Sequence, residues 1–187
     1  MSKVLINRDE ALKLVQENVS NEKLVKHMLS VEAIMKSLAK KLGEDEELWG
    51  LVGLLHDVDY EKTINEFSKH GLISAEMLKG KLPSEALDAI RAHNEKTGFK
   101  CESKLSNALI ASDQLSGLII ATALVMPNKK LSEVKVRSVI KKFKQKDFAR
   151  NVRRDKILAC EKLGLSLEEF VDIGLRALQE ISDELGL

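Results

Sequence analysis

Aromatic residues and prolines are scarce in this chain. Aromatic side chains make up 4% of its 187 residues, and there are only two prolines. Runs in which β-branched or aromatic residues alternate with polar ones are missing, whereas Ala, Leu, Glu and Lys are abundant. Because these abundant residues favour helices and period-two alternation marks strands, the composition argues against a β-rich fold and predicts an all-α protein.

Cysteines and long apolar runs are also scarce. Cys101 and Cys160 are far apart and form no CxxC motif, so a disulfide lacks support and a reducing cytoplasm is the expected location. The N-terminal residues 1–10 lack the shape of a signal peptide. The longest apolar stretches, such as residues 118–126, are shorter than a membrane span. No membrane partner is therefore expected.

Neither sign of charge is in excess, since 30 Lys and Arg residues stand against 29 Asp and Glu residues. The net charge of +1 provides no general attraction to nucleic acid, which is therefore not an expected partner. A local exception is the basic segment, residues 141–156, which carries eight Lys and Arg residues against two Asp residues. It could form an anion funnel or a nucleic-acid patch, but a solvated helix face is the preferred interpretation.

The motifs of several enzyme classes are absent, including GxSxG, GxGxxG, a Walker loop and a plausible Cys-His pair. The chain does contain polar residues at the apolar positions of predicted helices. His27 shares a helical stripe with Val31 and Ile34. Similar apolar stripes carry His70, His93 and Asp113.

A single inward-facing histidine is more often a hydrogen-bonded core residue than a metal ligand. Asp113 alone is better explained as an ion pair or a helix cap. Several such groups on different helices would be expensive to bury separately. Convergence on one cation would satisfy all of them, and nitrogen and oxygen donors suit a divalent transition metal. Asp57 would add negative charge and, with two carboxylate oxygens, could bridge two ions.

The order of His27, the doublet His56-Asp57 and the distal Asp113 resembles the HD superfamily of metal-dependent phosphohydrolases. The local strings VKHMLS, GLLHDVD and ASDQL agree with this resemblance. Two further residues resemble the additional histidines of the HDIG-type branch: His70 and His93. The resemblance covers residues 24–124 and implies an HD-domain helical bundle with additional C-terminal helices.

The resemblance implies a metal centre of six residues: His27, His56, Asp57, His70, His93 and Asp113. The first histidine, the doublet and the distal aspartate would hold one ion, while the two additional histidines and Asp57 would hold a second. One or two divalent ions are implied, with iron, manganese, cobalt, nickel and zinc all acceptable. A metal-activated hydroxide would attack phosphorus, with His56 and Asp57 as catalytic residues.

The expected reaction is hydrolysis of a phosphoester or phosphoanhydride bond in a nucleotide or a similar phosphorylated small molecule. Val58-Asp59 follows the His-Asp doublet where the resembled family most commonly has Ile-Gly, and this difference leaves the subfamily and the substrate open. Two alternatives are a non-catalytic HD-like module that binds a nucleotide or a partner, and a helical nucleic-acid binder based on the basic segment. The sequence also leaves open whether the chain forms a homo-oligomer.

Other charged residues near these motifs are weaker candidates. Lys62, Arg91 and Lys96 could meet substrate phosphate, although ordinary solvated charges are the preferred interpretation. Glu32 and Glu76 could orient ligating histidines, although surface salt bridges are the commoner role for such residues.

A single HD-type domain is predicted over residues 1–187, with a metal-binding core at about 21–126 and supporting helices at 127–187. Capping boxes at Asn7/Glu10 and Ser166/Glu169 predict helix starts. Gly50 and Gly53 predict close helix packing. Further helices are expected over 70–79, 84–94, 103–126, 132–142 and 150–163, with a loop over 58–68.

Overall fold

The computed structural model describes residues 6–187, and helices form nearly all the regular structure in this part of the chain. An isolated bridge between Lys79 and Leu82 is the exception there. The all-α prediction is confirmed. The α-helices of these residues are α1 (Arg8–Asn18), α2 (Glu22–Leu42), α3 (Glu46–Leu55), α4 (Tyr60–Thr63), α5 (Leu72–Met77), α6 (Ser84–His93), α7 (Lys104–Leu124), α8 (Val136–Lys144), α9 (Arg154–Ile157), α10 (Leu167–Glu180) and α11 (Ser182–Leu185). Short 3-10 helices lie at Phe67–Lys69, Glu95–Thr97, Leu131–Glu133 and Leu158–Leu163.

Two helices begin at the predicted capping boxes, which are confirmed. At α1, the Asn7 side chain accepts a hydrogen bond from the Glu10 amide, and the Glu10 carboxylate accepts one from the Asn7 amide, both at 2.9 Å. Ser166 and Glu169 make the same reciprocal pair at the start of α10. Each pair satisfies amide groups that have no partner inside the helix.

The backbones of α2 and α3 approach each other directly at Gly53. A Cβ atom at this position would lie 2.9 Å from the Cα and N atoms of Glu32 and from the carbonyl carbon of Val31. Helix α7, whose Leu115 is fully buried, packs against α2, α3, α6 and α10. This packing brings together α2, the end of α3 and α7, which carry four of the predicted site residues.

Several predicted element boundaries are wrong. The predicted loop 58–68 contains α4, and the predicted helix 70–79 is shortened to α5, because Gly71 has a φ of +93° that ends any continuous helix there. The predicted helix 132–142 begins only at Val136, after a separate 3-10 turn. The predicted helix 150–163 is reduced to the four residues of α9 and a 3-10 helix.

The side chain of Arg154 accounts for the irregular chain before α9. Its guanidinium donates to the carbonyl oxygens of Ala149 at 2.8 Å, Val152 at 2.9 Å and Gln145 at 3.1 Å. The carbonyls of Ala149 and Gln145 also accept from backbone amides three residues further on, so these turns close without the four-residue spacing of α-helical hydrogen bonds. Ala149 has a φ of +46°, a conformation that a non-glycine residue adopts only when its surroundings hold it there.

Within the described residues, α7 is long and apolar enough to cross a membrane by length and composition alone. The lengths of uninterrupted apolar runs did not indicate this. In the structure, 61% of its apolar window is buried inside the fold, as expected of a central core helix.

Candidate metal centre

The six side chains predicted as metal ligands lie together where α2, α3, α6 and α7 meet. They are contributed by α2 (His27), the turn after α3 (His56 and Asp57), the segment before α5 (His70), the last residue of α6 (His93) and the middle of α7 (Asp113). Three of these residues thus lie at or just beyond the end of a helix: His56 and Asp57 after α3, and His93 at the end of α6.

Three of the histidine rings are held through Nδ1 by oxygen acceptors. His56 Nδ1 lies 2.7 Å from the carbonyl of Gly53, and His93 Nδ1 lies 2.6 Å from the carbonyl of Ile90. His70 Nδ1 lies 2.7 Å from a carboxylate oxygen of Asp59. A carbonyl oxygen only accepts hydrogen bonds, so the Nδ1 atoms of His56 and His93 carry the proton. When Nε2 carries no proton, as metal binding requires, each of these two rings therefore presents an Nε2 lone pair to the centre of the site.

One set of ligand atoms forms a nearly equilateral triangle. Asp57 Oδ1 lies 3.1 Å from His70 Nε2 and 3.3 Å from His93 Nε2, and the two Nε2 atoms are 3.1 Å apart. Ligand atoms placed about 2.1 Å from one ion lie about 3 Å apart when they are octahedral neighbours. The triangle therefore matches one face of an octahedral site.

A second set surrounds Asp113. Its Oδ1 atom lies 2.9 Å from His27 Nε2 and 3.7 Å from His56 Nε2. Asp57 reaches this set too, with Oδ2 3.5 Å from His27 Nε2 and Oδ1 3.3 Å from His56 Nε2. The two oxygens of Asp57 thus face different histidines, as a bridging carboxylate does.

The Nε2 atom of His56 is a buried ring nitrogen with no hydrogen-bond partner. Leaving such an atom unsatisfied costs about 1–3 kcal/mol. A divalent ion among these nitrogens and carboxylates would satisfy it, and the mixed nitrogen and oxygen donor set suits a transition metal. The residues therefore fit a metal ion.

Five of the six predicted ligands fall into two overlapping groups in which all donor atoms lie within 4.8 Å of one another: His27, His56 and Asp113, and His56, Asp57 and His93. His56 belongs to both groups, so it lies between the two sets. The division expected from the resemblance, in which the second ion has only Asp57, His70 and His93, assigns His56 to the first ion alone.

The histidines keep both central carboxyls ionised. Burial by itself would raise the pKa of Asp57, but the charge of His56 and hydrogen bonds from His70 and His93 hold it well below its ordinary value. Burial and neighbouring histidines oppose each other in the same way at Asp113, and the result is again a lowered pKa. Both groups are therefore carboxylates at neutral pH.

His70 shows the opposite shift. Burial would lower its pKa, but hydrogen bonds and negative charge from Asp57 and Asp59 outweigh burial and raise the pKa to about 9. In the metal-free protein a proton on His70 thus offsets part of the negative charge that a metal ion would offset. Metal binding at this position must displace that proton.

The centre opens into a cavity of about 680 Å³. The side chains of His27 and Asp113 are 24% and 19% exposed, whereas those of the other four predicted ligands are at most 8% exposed, so access is from the side of α2 and α7. The cavity is lined by the ligands other than His56 and by Leu24, Tyr60, Phe67, Asn94, Glu95, Lys96, Ile110, Gln114, Asn151, Arg153 and Lys156.

Two cationic side chains of the basic segment reach the cavity. Arg153 and Lys156 each lie 3.0 Å from a carboxylate oxygen of Glu95, and Arg153 also pairs with Asp155. Lys142 instead lies over the ring of Phe148, away from the cavity lining. The segment therefore has no single role, since it divides into cavity-lining cations, structural groups such as the Arg154 guanidinium and solvated lysines.

The interpretation of Glu32 as a residue that orients a histidine is wrong. Its carboxylate is almost fully buried and accepts two hydrogen bonds from Arg8, at 2.6 and 3.0 Å, with Lys36 3.1 Å away. The other proposed orienting residue, Glu76, is exposed. Among the lysines and arginines considered for phosphate, Lys96 lines the cavity, whereas Arg91 pairs with Asp88.

Sequence reasoning missed the residue that holds His70, one of the predicted ligands, in place. Asp59 is fully buried and contacts His70 from the turn that carries His56 and Asp57. It also missed Asn94, whose side-chain amide donates to the carbonyls of Phe67 and His70. The signal that could have identified Asp59 was the presence of Val58-Asp59 where Ile-Gly most commonly follows the His-Asp doublet.

The comparisons with known proteins match the part of the chain that contains this site. The HD domain family profile matches residues 24–122, which include all six predicted ligands. The chain is 33% identical over 97 residues to Ribonuclease Y of Lawsonia intracellularis, a match that covers 51% of this chain and 18% of the relative. The chain thus spans less than a fifth of that relative's length. No solved structure gives a significant match.

Proposed function

Because the chain belongs to the HD domain family, whose members are mostly metal-dependent hydrolases, we propose that it hydrolyses a phosphoester or phosphoanhydride bond in a nucleotide or a similar small molecule. The observation that carries this proposal is the orientation of the site. The Nε2 atoms of the histidines and the oxygens of two carboxylates face one another at 2.9–3.7 Å, and His56 Nε2 has no other partner.

The six residues His27, His56, Asp57, His70, His93 and Asp113 would hold one or two divalent ions. Such ions lower the pKa of a water molecule and neutralise charge on phosphoryl oxygens. Asp57 stays ionised because its pKa is low, and its two oxygens face different histidines, which favours a bridging position. Iron, manganese, cobalt, nickel and zinc all accept these donors.

The more exposed ligands, His27 and Asp113, mark the side from which a phosphoryl group would approach. The cavity of about 680 Å³ is within the size range of small-molecule sites. Lys96, Arg153 and Lys156 line it and provide positive charge, which Glu95 partly offsets. This balance favours a small anionic substrate over a long polyanion or a membrane surface.

A hydrolysis screen of the metal-loaded protein tests the proposal. The metal-free chain would be reconstituted separately with manganese, iron, cobalt, nickel and zinc, and assayed on phosphomonoesters, nucleotides and dinucleoside polyphosphates. The expected result is turnover that Asp57→Asn abolishes and that Asp88→Asn, a change at an ion pair outside the cavity lining, leaves intact. Tight nucleotide binding without turnover under every metal would instead favour the non-catalytic module.

A second candidate is hydrolysis of a phosphodiester bond in RNA, which the likeness to a protein named Ribonuclease Y favours. A short single-stranded RNA in the same screen separates the two. A preference for RNA over all mononucleotides and dinucleoside polyphosphates would support this candidate and contradict the small-molecule proposal.

A further inference from the structure

Asp59 is a fully buried carboxylate whose hydrogen bonds all go to the segment that carries His70. Its Oδ1 atom lies 2.7 Å from His70 Nδ1, and its Oδ2 atom accepts from the amides of Gly71 at 2.8 Å and Ser74 at 2.7 Å. Its own amide donates to the hydroxyl of Ser74 at 3.1 Å. Both oxygens are thus used, and neither faces the cavity.

We propose that Asp59 is a positioning residue that fixes His70 as a ligand of a divalent transition metal. With Asp59 in place, the position formed by Asp57, His70 and His93 would bind its ion more tightly than it would without this carboxylate. This inference rests on the proposed function, since it takes the site to be a metal centre. The carboxylate accepts from Nδ1 and therefore leaves the Nε2 lone pair directed at Asp57 and His93. It also makes the imidazole a stronger donor toward the ion.

The arrangement distinguishes a carboxylate from its amide isostere. In an Asp59→Asn variant, one end of the side chain becomes a donor. If the amide oxygen keeps the two backbone donors of Gly71 and Ser74, the NH₂ group faces His70 Nδ1. His70 must then accept at Nδ1 and carry its proton on Nε2, where the ion would bind. If the amide is reversed, its NH₂ group faces two backbone N–H groups, and the start of α5 loses the two hydrogen bonds that the amides of Gly71 and Ser74 donate to residue 59.

A purely structural role would give a different pattern. Asp59 also holds Gly71 and Ser74 at the start of α5, so its loss could simply weaken local packing. In that case the metal-free protein would lose stability and both ion positions would weaken together. A role in positioning His70 predicts a selective loss at one ion position.

The test is a calorimetric titration of the full-length, metal-free protein with Mn²⁺ and, separately, with Zn²⁺. We expect Asp59→Asn to weaken one binding step by roughly 10–100-fold and to leave the other within about twofold. Ser74→Ala is the matched control, because it removes the hydroxyl that accepts from the Asp59 amide but keeps the Ser74 backbone donor. It should leave both steps unchanged.

A double substitution keeps the inference falsifiable even if Asp59→Asn loses some stability. His70→Ala removes the proposed ligand directly, so adding Asp59→Asn to it should weaken metal binding no further. Equal weakening of both steps, or a further loss in the double variant, would overturn the inference. Because the measurement is metal affinity, a protein with the selective effect but no turnover would support the positioning role while contradicting the proposed hydrolysis.

Discussion

Replacing Gly53 with alanine should separate α2 and α3, two of the four helices that surround the candidate metal centre. The added methyl group would lie 2.9 Å from three backbone atoms of Glu32 and Val31, whereas carbon atoms in ordinary contact are about 3.5–4 Å apart. Backbone atoms inside α2 cannot rotate away as a side chain can. Helices α2 and α3 must therefore move apart by roughly 0.6 Å or more.

The expected loss of stability follows from two opposing effects. Alanine has a higher helix propensity than glycine by about 1 kcal/mol, while overpacking of a core costs about 1–3 kcal/mol. Since the obstruction is backbone, we take the upper end of that range and expect a net loss of about 2 kcal/mol. For a chain of 187 residues this lowers the melting temperature by roughly 4–8 °C.

Gly50→Ala in the same helix is the matched control. The three atoms nearest to its Cβ atom would all belong to the side chain of Lys36, which is flexible and partly exposed. The gain in helix propensity and the cost of moving this lysine should nearly cancel, leaving stability within about 0.5 kcal/mol of the parent.

The assay is thermal unfolding of both variants, without metal and with saturating metal, together with metal titration. His27 lies one turn before Val31 on α2, and His56 Nδ1 bonds to the Gly53 carbonyl itself. Separation of the helices should thus weaken metal binding in Gly53→Ala but not in Gly50→Ala. Equal melting temperatures for the two variants would refute the argument from backbone contact.

Three further predictions concern the site. Asp57→Ala should abolish metal binding and turnover while helical circular dichroism remains, because apolar packing supplies most of the stability; near-normal turnover would contradict the HD-type mechanism. The stability of the metal-free protein should be greatest between pH 3.8 and pH 6.5, the ordinary pKa values of Asp113 and His70. It should decrease as the pH falls below 3.8, because the folded state lowers the pKa of Asp113, and it should decrease as the pH rises from 6.5 to about 9, because the folded state raises the pKa of His70. Saturating metal should remove the alkaline loss in thermal melts, and a melting temperature independent of pH would refute this assignment. Lys156→Ala should raise KM roughly tenfold by removing a charged hydrogen-bond donor, whereas Lys144→Ala should leave KM and metal content unchanged; equal effects would show that the whole basic segment acts as one surface.

The features that the sequence predicted well are those set by periodicity and by local capping. The stripe of His27 with Val31 and Ile34 needs only the helical repeat, and the box of Ser166 and Glu169 needs only a short stretch of chain. The same periodicity could have excluded Glu32 as a partner of His27. Five residues turn a helix by about 140° from the starting face, and Glu32 instead meets Arg8.

The features that the sequence could not predict depend on tertiary hydrogen bonds. The composition of residues 145–153 is typical of a helix, yet this segment is irregular, and the Arg154 guanidinium donates hydrogen bonds to three of its carbonyl oxygens. That irregular path brings the Arg153 amide to within 2.8 Å of the Gln114 side-chain oxygen, on the helix that carries Asp113. The cavity-lining position of Arg153 therefore follows from its neighbour's contacts, which net charge along the segment does not reveal.

The turn after α3 shows why ligand identity alone does not determine how ions share a site. His56, Asp57 and Asp59 lie in one short stretch of chain, yet they face different neighbours: His56 lies between the two donor sets, Asp57 touches both, and Asp59 faces His70 from behind. Ring directions here are set by the carbonyls of Gly53 and Ile90 and by a carboxylate, and each acceptor fixes which nitrogen has a free lone pair. The order of histidines and aspartates in the sequence predicts which residues meet, whereas the backbone at the helix ends determines which of their atoms can bind a metal ion.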